Sequence, residues 1–218
     1  ENSQRKAPTS KAGVEAFEEM TYRGISINAT VSFTVSQAIA VAEAVERGLN
    51  RRIKEGLPID KMNPVCTIMA GRVDDYLKKD CKEKGLLIEP EWAGVAVVKN
   101  AYRIYQEKAY RTTLLVAAYR NPYHWNQFIG GKIVLTIPYD WQLKYNTSFY
   151  TISSTIDNPV CDEYLQKLQQ LEEFNKAYLP EGLLPEEFEH YGAFLDTMNQ
   201  FLNGYDDLCK LIRKYMVI

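Results

Sequence analysis

Short apolar, β-branched runs alternate along this chain with stretches of helical periodicity, and that alternation restricts the fold more than any other feature. Candidate strands occupy residues 2–6, Ile25 to Thr30, Val65 to Met69, Thr112 to Ala118 and Ile133 to Ile137. Between them, apolar residues recur at helical spacing: Val14, Phe17 and Met20 in 11–23, then Ile39, Ala42, Val45 and Leu49 in a helix opened by Ser36. The same spacing brings Val95, Val98, Ala101, Tyr102 and Tyr105 inward in 93–108. Thr9 or Ser10 can cap the first helix and Gly24 can stop it. A continuous run such as Val65-Cys66-Thr67-Ile68-Met69 suits a strand covered on both faces. Strand–helix alternation of this kind predicts an α/β fold: a parallel sheet with right-handed crossovers.

After Pro138 the pattern becomes helical, broken at Pro159, Pro180 and Pro185. The chain therefore reads as one domain, 1–218, with the five strands in 1–140 and a helical region in 141–218. A hydrophobic content of 46% in 218 residues suffices for a sizeable core. The formal charge of −2 and the lack of a basic run speak against a nucleic-acid partner. No apolar run approaches the roughly 20 residues that span a bilayer, and the first residues lack a signal peptide's apolar centre. Cys66, Cys81, Cys161 and Cys209 are widely spaced, without metal-ligand partners, and read as reduced structural thiols of a cytoplasmic protein. His124 and His190 are too far apart to form a triad or a metal site, and His124 reads as a loop contact.

In parallel α/β sheets ligands bind at the carboxyl ends of the strands. Lys6, Asn28, Thr30, Thr67, Arg72 and Arg120 lie at or just past those ends. Asn28 and Thr30, two apart on a strand, share a face. Arg72 and Arg120 follow two different strands. Asp74 and Asp75 read as first-turn acids favoured by the helix dipole, and Tyr119 is the tyrosine nearest these residues in sequence.

Four ordered segments resemble the transaldolase family. They are Lys6, Pro8, Ser10 and Gly13 in a Lys-x-Pro-x-(Ser/Thr)-x-x-Gly pattern; Asn28-Ala29-Thr30; Thr67 through Asp74; and Ala117-Ala118-Tyr119-Arg120-Asn121. The resemblance implies a (β/α)8 TIM barrel of which this chain carries strands four to eight, followed by a helical tail. It further implies that Lys6 forms a Schiff base with a ketose phosphate, attacking as the neutral amine. Asn28 and Thr30 then hold substrate hydroxyls and a proton-relaying water, while Arg72, Arg120 and Thr67 bind the phosphate. No cofactor is required, because the protonated imine is itself the electron sink. Thr67 stands where the family usually has serine, and Ala118 stands where a second serine is usual. The family's first three strands supply an aspartate, an asparagine and an acid/base glutamate, none of which can be matched here. The reading expected is transfer of a dihydroxyacetone unit between sugar phosphates, with fructose-6-phosphate aldolase-like cleavage or a non-catalytic phosphosugar-binding fragment as alternatives. A preceding segment, or a second copy of the chain, is the expected partner that completes the barrel.

Overall fold

The computed structural model describes residues 3–149 and 152–216. Five strands lie side by side in sequence order, β1 (Arg5–Pro8), β2 (Ile27–Ser32), β3 (Val65–Met69), β4 (Thr113–Ala117) and β5 (Val134–Leu135), and every pairing is parallel. Helices α1 (Lys11–Tyr22), α2 (Val35–Lys54), α3 (Ala70–Glu83) and α4 (Ala93–Glu107) separate the first four strands. The short α5 (Tyr123–Asn126) precedes β5. Beyond it come α6 (Tyr139–Asn146), α7 (Asp162–Leu168), α8 (Glu172–Tyr178), a 3-10 turn (Pro185–His190) and α9 (Gly192–Arg213).

The two faces of the sheet are unlike. Ile27, Ala29, Cys66, Ile68, Leu114 and Val116 are buried beneath the helices and form the core. The opposite row runs through Lys6, Asn28, Leu115 and Val134, which are half-buried or exposed. A parallel wall with helices sealing one face and mixed side chains on the other is an opened arc of a (β/α)8 barrel, with β1 and β5 as its two edges.

Several boundaries differ from the sequence expectation, each for a local reason. The first strand pairs over Arg5–Pro8, and Asn2, where it was expected to begin, lies outside the described residues. Pro8 is tolerated because β1 is an edge. β2 runs on to Ser32 through a bulge: Ala29 pairs with Cys66 but Ser32 with Ile68, so β2 carries one extra residue. Val31 absorbs it at φ 54°, a left-handed conformation that costs a β-branched residue strain. The α1 cap is Ser10, whose Oγ accepts from Gly13 N, and Gly24 ends that connection at φ 80°. Thr34, not Ser36, caps α2. Because α3 starts at Ala70, Asp74 and Asp75 fall in its second turn, and neither is a first-turn acid.

A buried amide holds the bulge. Gln37 Oε1 accepts from Phe33 N at 2.8 Å, while Nε2 donates to Thr9 O at 2.9 Å and Val31 O at 3.3 Å. Thr9 and Ser32 hydroxyls meet at 2.7 Å beside it, and all three residues are fully buried. This network ties the carboxyl ends of β1 and β2 to the start of α2.

Candidate functional site

The sequence pattern placed an amine and small polar groups at strand ends, and the register decides which of them meet. Lys6 is the direct partner of Asn28 in the β1–β2 pairing, so both side chains stand on the concave face. Thr30 follows two residues on, ahead of the bulge. Thr67 on β3 donates its hydroxyl to Asn28 Oδ1 at 2.7 Å. Asn28 Nδ2 reaches Gln4 Oε1 at 3.4 Å, which leaves it a weak second contact and fixes the amide's orientation. The Lys6 side chain is exposed and has no hydrogen-bond or ion-pair partner among the described residues. Lys6, Asn28, Thr30 and Thr67 therefore form one cluster spanning three strands.

The two arginines lie beyond β3 and β4. Arg72 occupies the first turn of α3, half-buried, and its Nε is buried without a hydrogen-bond partner among the described residues. An orphaned guanidinium N–H is costly unless a ligand answers it. Arg120 is differently placed. Asp75 takes its Nε at 2.9 and 3.0 Å and its Nη2 at 2.7 Å, and Arg120 Nη1 donates to Tyr119 O at 3.0 Å. The ordinary ion pair thus accounts for the Arg120 guanidinium in this state, and not for Arg72. Gly71 sets how closely the two segments approach: a Cβ there would lie 1.9 Å from Ala118 O and 2.8 Å from Arg120 Cγ. Ala118 itself bends the chain at φ 64°. The Tyr119 hydroxyl beside it is also buried without a partner among the described residues, and burial holds the phenol protonated by pushing its pKa up.

Sequence reading missed the support under these residues. His124, expected as a loop contact, lies in α5 and is fully buried. Its Nδ1 accepts from Arg120 N at 3.0 Å, and its Nε2 lies 2.8 Å from Asp74 Oδ2. Asp74, also buried, accepts from Gly94 N at 2.8 Å and from Asn121 Nδ2 at 3.3 Å. Asp74 and His124 are 50 residues apart, and no local pattern pairs them. The single hint was composition: a carboxylate whose helix position, once the start of α3 is known, faces inward.

The family model "Transaldolase/Fructose-6-phosphate aldolase" matches residues 5–193. A transaldolase of Thiobacillus denitrificans is 34% identical over 106 residues, 47% of this chain and 29% of that protein. A transaldolase of Neisseria meningitidis serogroup A is 27% identical over 177 residues, 71% of this chain and 48% of that protein. One of Mycolicibacterium paratuberculosis is 32% identical over 106 residues, 47% of this chain and 28% of that protein. The chain spans less than half the length of these relatives.

Proposed function

This chain belongs to the transaldolase/fructose-6-phosphate aldolase family, and on that premise we propose that, within a complete barrel, it carries the Schiff-base lysine and the phosphate site of a dihydroxyacetone transferase. The Lys6 amine adds to the ketone carbon of a ketose phosphate, and the carbinolamine loses water to give a protonated imine. The next carbon–carbon bond breaks, its electron pair enters the imine as an enamine, and the shortened aldose phosphate leaves. The enamine then adds to an acceptor aldose phosphate, and water releases the product and the free amine.

Asn28, held by the Thr67 hydroxyl, and Thr30 orient the substrate hydroxyls and the water that moves protons during imine formation. Arg72 and Arg120 receive the phosphate, Arg120 by exchanging Asp75 for it. The acid/base carboxylate is supplied by the other strands of the complete barrel. The observation that carries this reading is the pairing of Lys6 with Asn28 in register, on the concave face, with Thr67 bonded to that same Asn28.

Replacement of the lysine tests it. Lys6→Arg keeps the positive charge but offers no accessible neutral amine, so transfer is lost in the complete protein while the melting temperature is retained. Turnover by that variant would contradict the assignment.

A further inference from the structure

We propose that His124 is a positioning residue for the anion site: a neutral imidazole that fixes the Arg120 main chain with Nδ1 and anchors itself to buried Asp74 with Nε2–H. The inference deepens the proposed function and rests on its assignment of Arg120 to phosphate.

The proton's place follows from the donors. The Arg120 N–H points at Nδ1 across 3.0 Å, and a main-chain N–H can only donate, so Nδ1 must carry the lone pair. The proton is then on Nε2 and is given to Asp74 Oδ2 at 2.8 Å. Asp74 is fixed in turn by Gly94 N at the start of α4 and by the Asn121 side chain. Three elements, α3, α4 and the connection after β4, therefore converge on one carboxylate. The Tyr119 ring stands edge-on to the imidazole, 6.5 Å away at 74°.

The consequence falls on Arg120. Ala118 leaves β4 with a left-handed turn, and the connection beyond it has no strand partner among the described residues. Residue 120 nonetheless has a fixed backbone, because its N–H is tied through His124 to the helix that carries Arg72. Two adjacent carboxylates of α3 divide the work. Asp74 holds the Arg120 main chain through the imidazole, and Asp75 holds the guanidinium directly. When an anion displaces Asp75, the backbone contact remains and keeps the guanidinium aimed.

Two substitutions separate this role from simple packing. In His124→Gln the side-chain amide reaches Asp74 but offers Arg120 N no acceptor; in His124→Asn the Oδ1 replaces Nδ1 and the link to Asp74 is lost. Binding of inorganic phosphate by titration calorimetry and melting temperature are measured for the complete protein, both variants and Arg120→Ala. Long-range 1H–15N spectra of the wild type report which imidazole nitrogen bears the proton. The expected results are a protonated Nε2, and phosphate binding about fivefold weaker in His124→Gln, the equivalent of one neutral hydrogen bond. That loss should exceed the loss in His124→Asn even though His124→Gln melts at the higher temperature. Phosphate affinities that simply follow melting temperature, or a proton on Nδ1, would overturn the proposal. If phosphate binds and Arg120→Ala weakens it while His124→Gln does not, the positioning role alone fails. If the wild type binds no phosphate, the proposed phosphate site fails and this inference fails with it.

Discussion

Among single residues, the arginines give the sharpest contrast. Arg72 Nε lacks a hydrogen-bond partner among the described residues, whereas the Arg120 guanidinium is already paired with Asp75. Under the proposed function, phosphate at Arg72 would answer that donor, and phosphate at Arg120 would compete with a carboxylate. Arg72→Ala is therefore expected to cost about 2 kcal/mol in the apparent binding of phosphorylated ketoses, with little effect on unphosphorylated ones. Asp75→Asn removes the competitor, and because the pair is largely exposed the gain in phosphate affinity should be no more than about fivefold. Comparison of kcat/KM for phosphorylated and unphosphorylated donors checks both, and equal proportional losses for the two donors would assign Arg72 to scaffold. At this scale the shared face of Asn28 and Thr30 was legible from a strand's two-residue period, and the placement of Lys6 and Thr67 from strand ends and the family resemblance. Asp74 and His124 were not: their meaning depends on contacts across 50 residues, and each looks ordinary in its local stretch.

The secondary-structure elements were mostly readable from periodicity, and the departures cluster where polar side chains replace main-chain pairing. β2 outlasts its expected end because Gln37 supplies the bonds that the bulge at Val31 removes from the ladder. Nothing in the sequence marks Gln37, which looks like a solvent-facing residue of a helix yet is fully buried. Gln37→Leu would leave Phe33 N, Thr9 O and Val31 O without this partner in a dry setting. A loss on the order of 3 kcal/mol is expected from the urea midpoint, and a loss below about 0.5 kcal/mol, the range of ordinary surface substitutions, would contradict the account.

The whole molecule is an arc with two open edges. Among the described residues β1 and β5 each have one unpaired side, Leu115 and Val134 line a concave face without an opposite wall, and α9 leaves the core after Met198. Beyond that point Phe201, Tyr205, Leu208, Ile212 and Tyr215 follow one stripe at 47 to 81% exposure. Unpaired strand edges and a contiguous apolar stripe both promote association. The isolated 25.1 kDa chain is accordingly expected to sediment as oligomers or aggregates, and a monodisperse, cooperatively melting monomer would show that the arc is self-sufficient. The parallel strand–helix alternation was legible from the runs, and the barrel followed from the family resemblance. The course of α9 was not, because an apolar stripe reads identically whether it is covered or bare.

The central claim is chemical, that Lys6 forms an imine with a ketose phosphate. Incubation of the complete protein with fructose 6-phosphate, reduction with borohydride and peptide mass spectrometry measure that bond directly. The account predicts a stable adduct on the peptide containing Lys6, with the mass of a reduced dihydroxyacetone or hexose phosphate unit, and its loss in Lys6→Arg. An unmodified Lys6 peptide, or an adduct on another lysine that persists in Lys6→Arg, would contradict it.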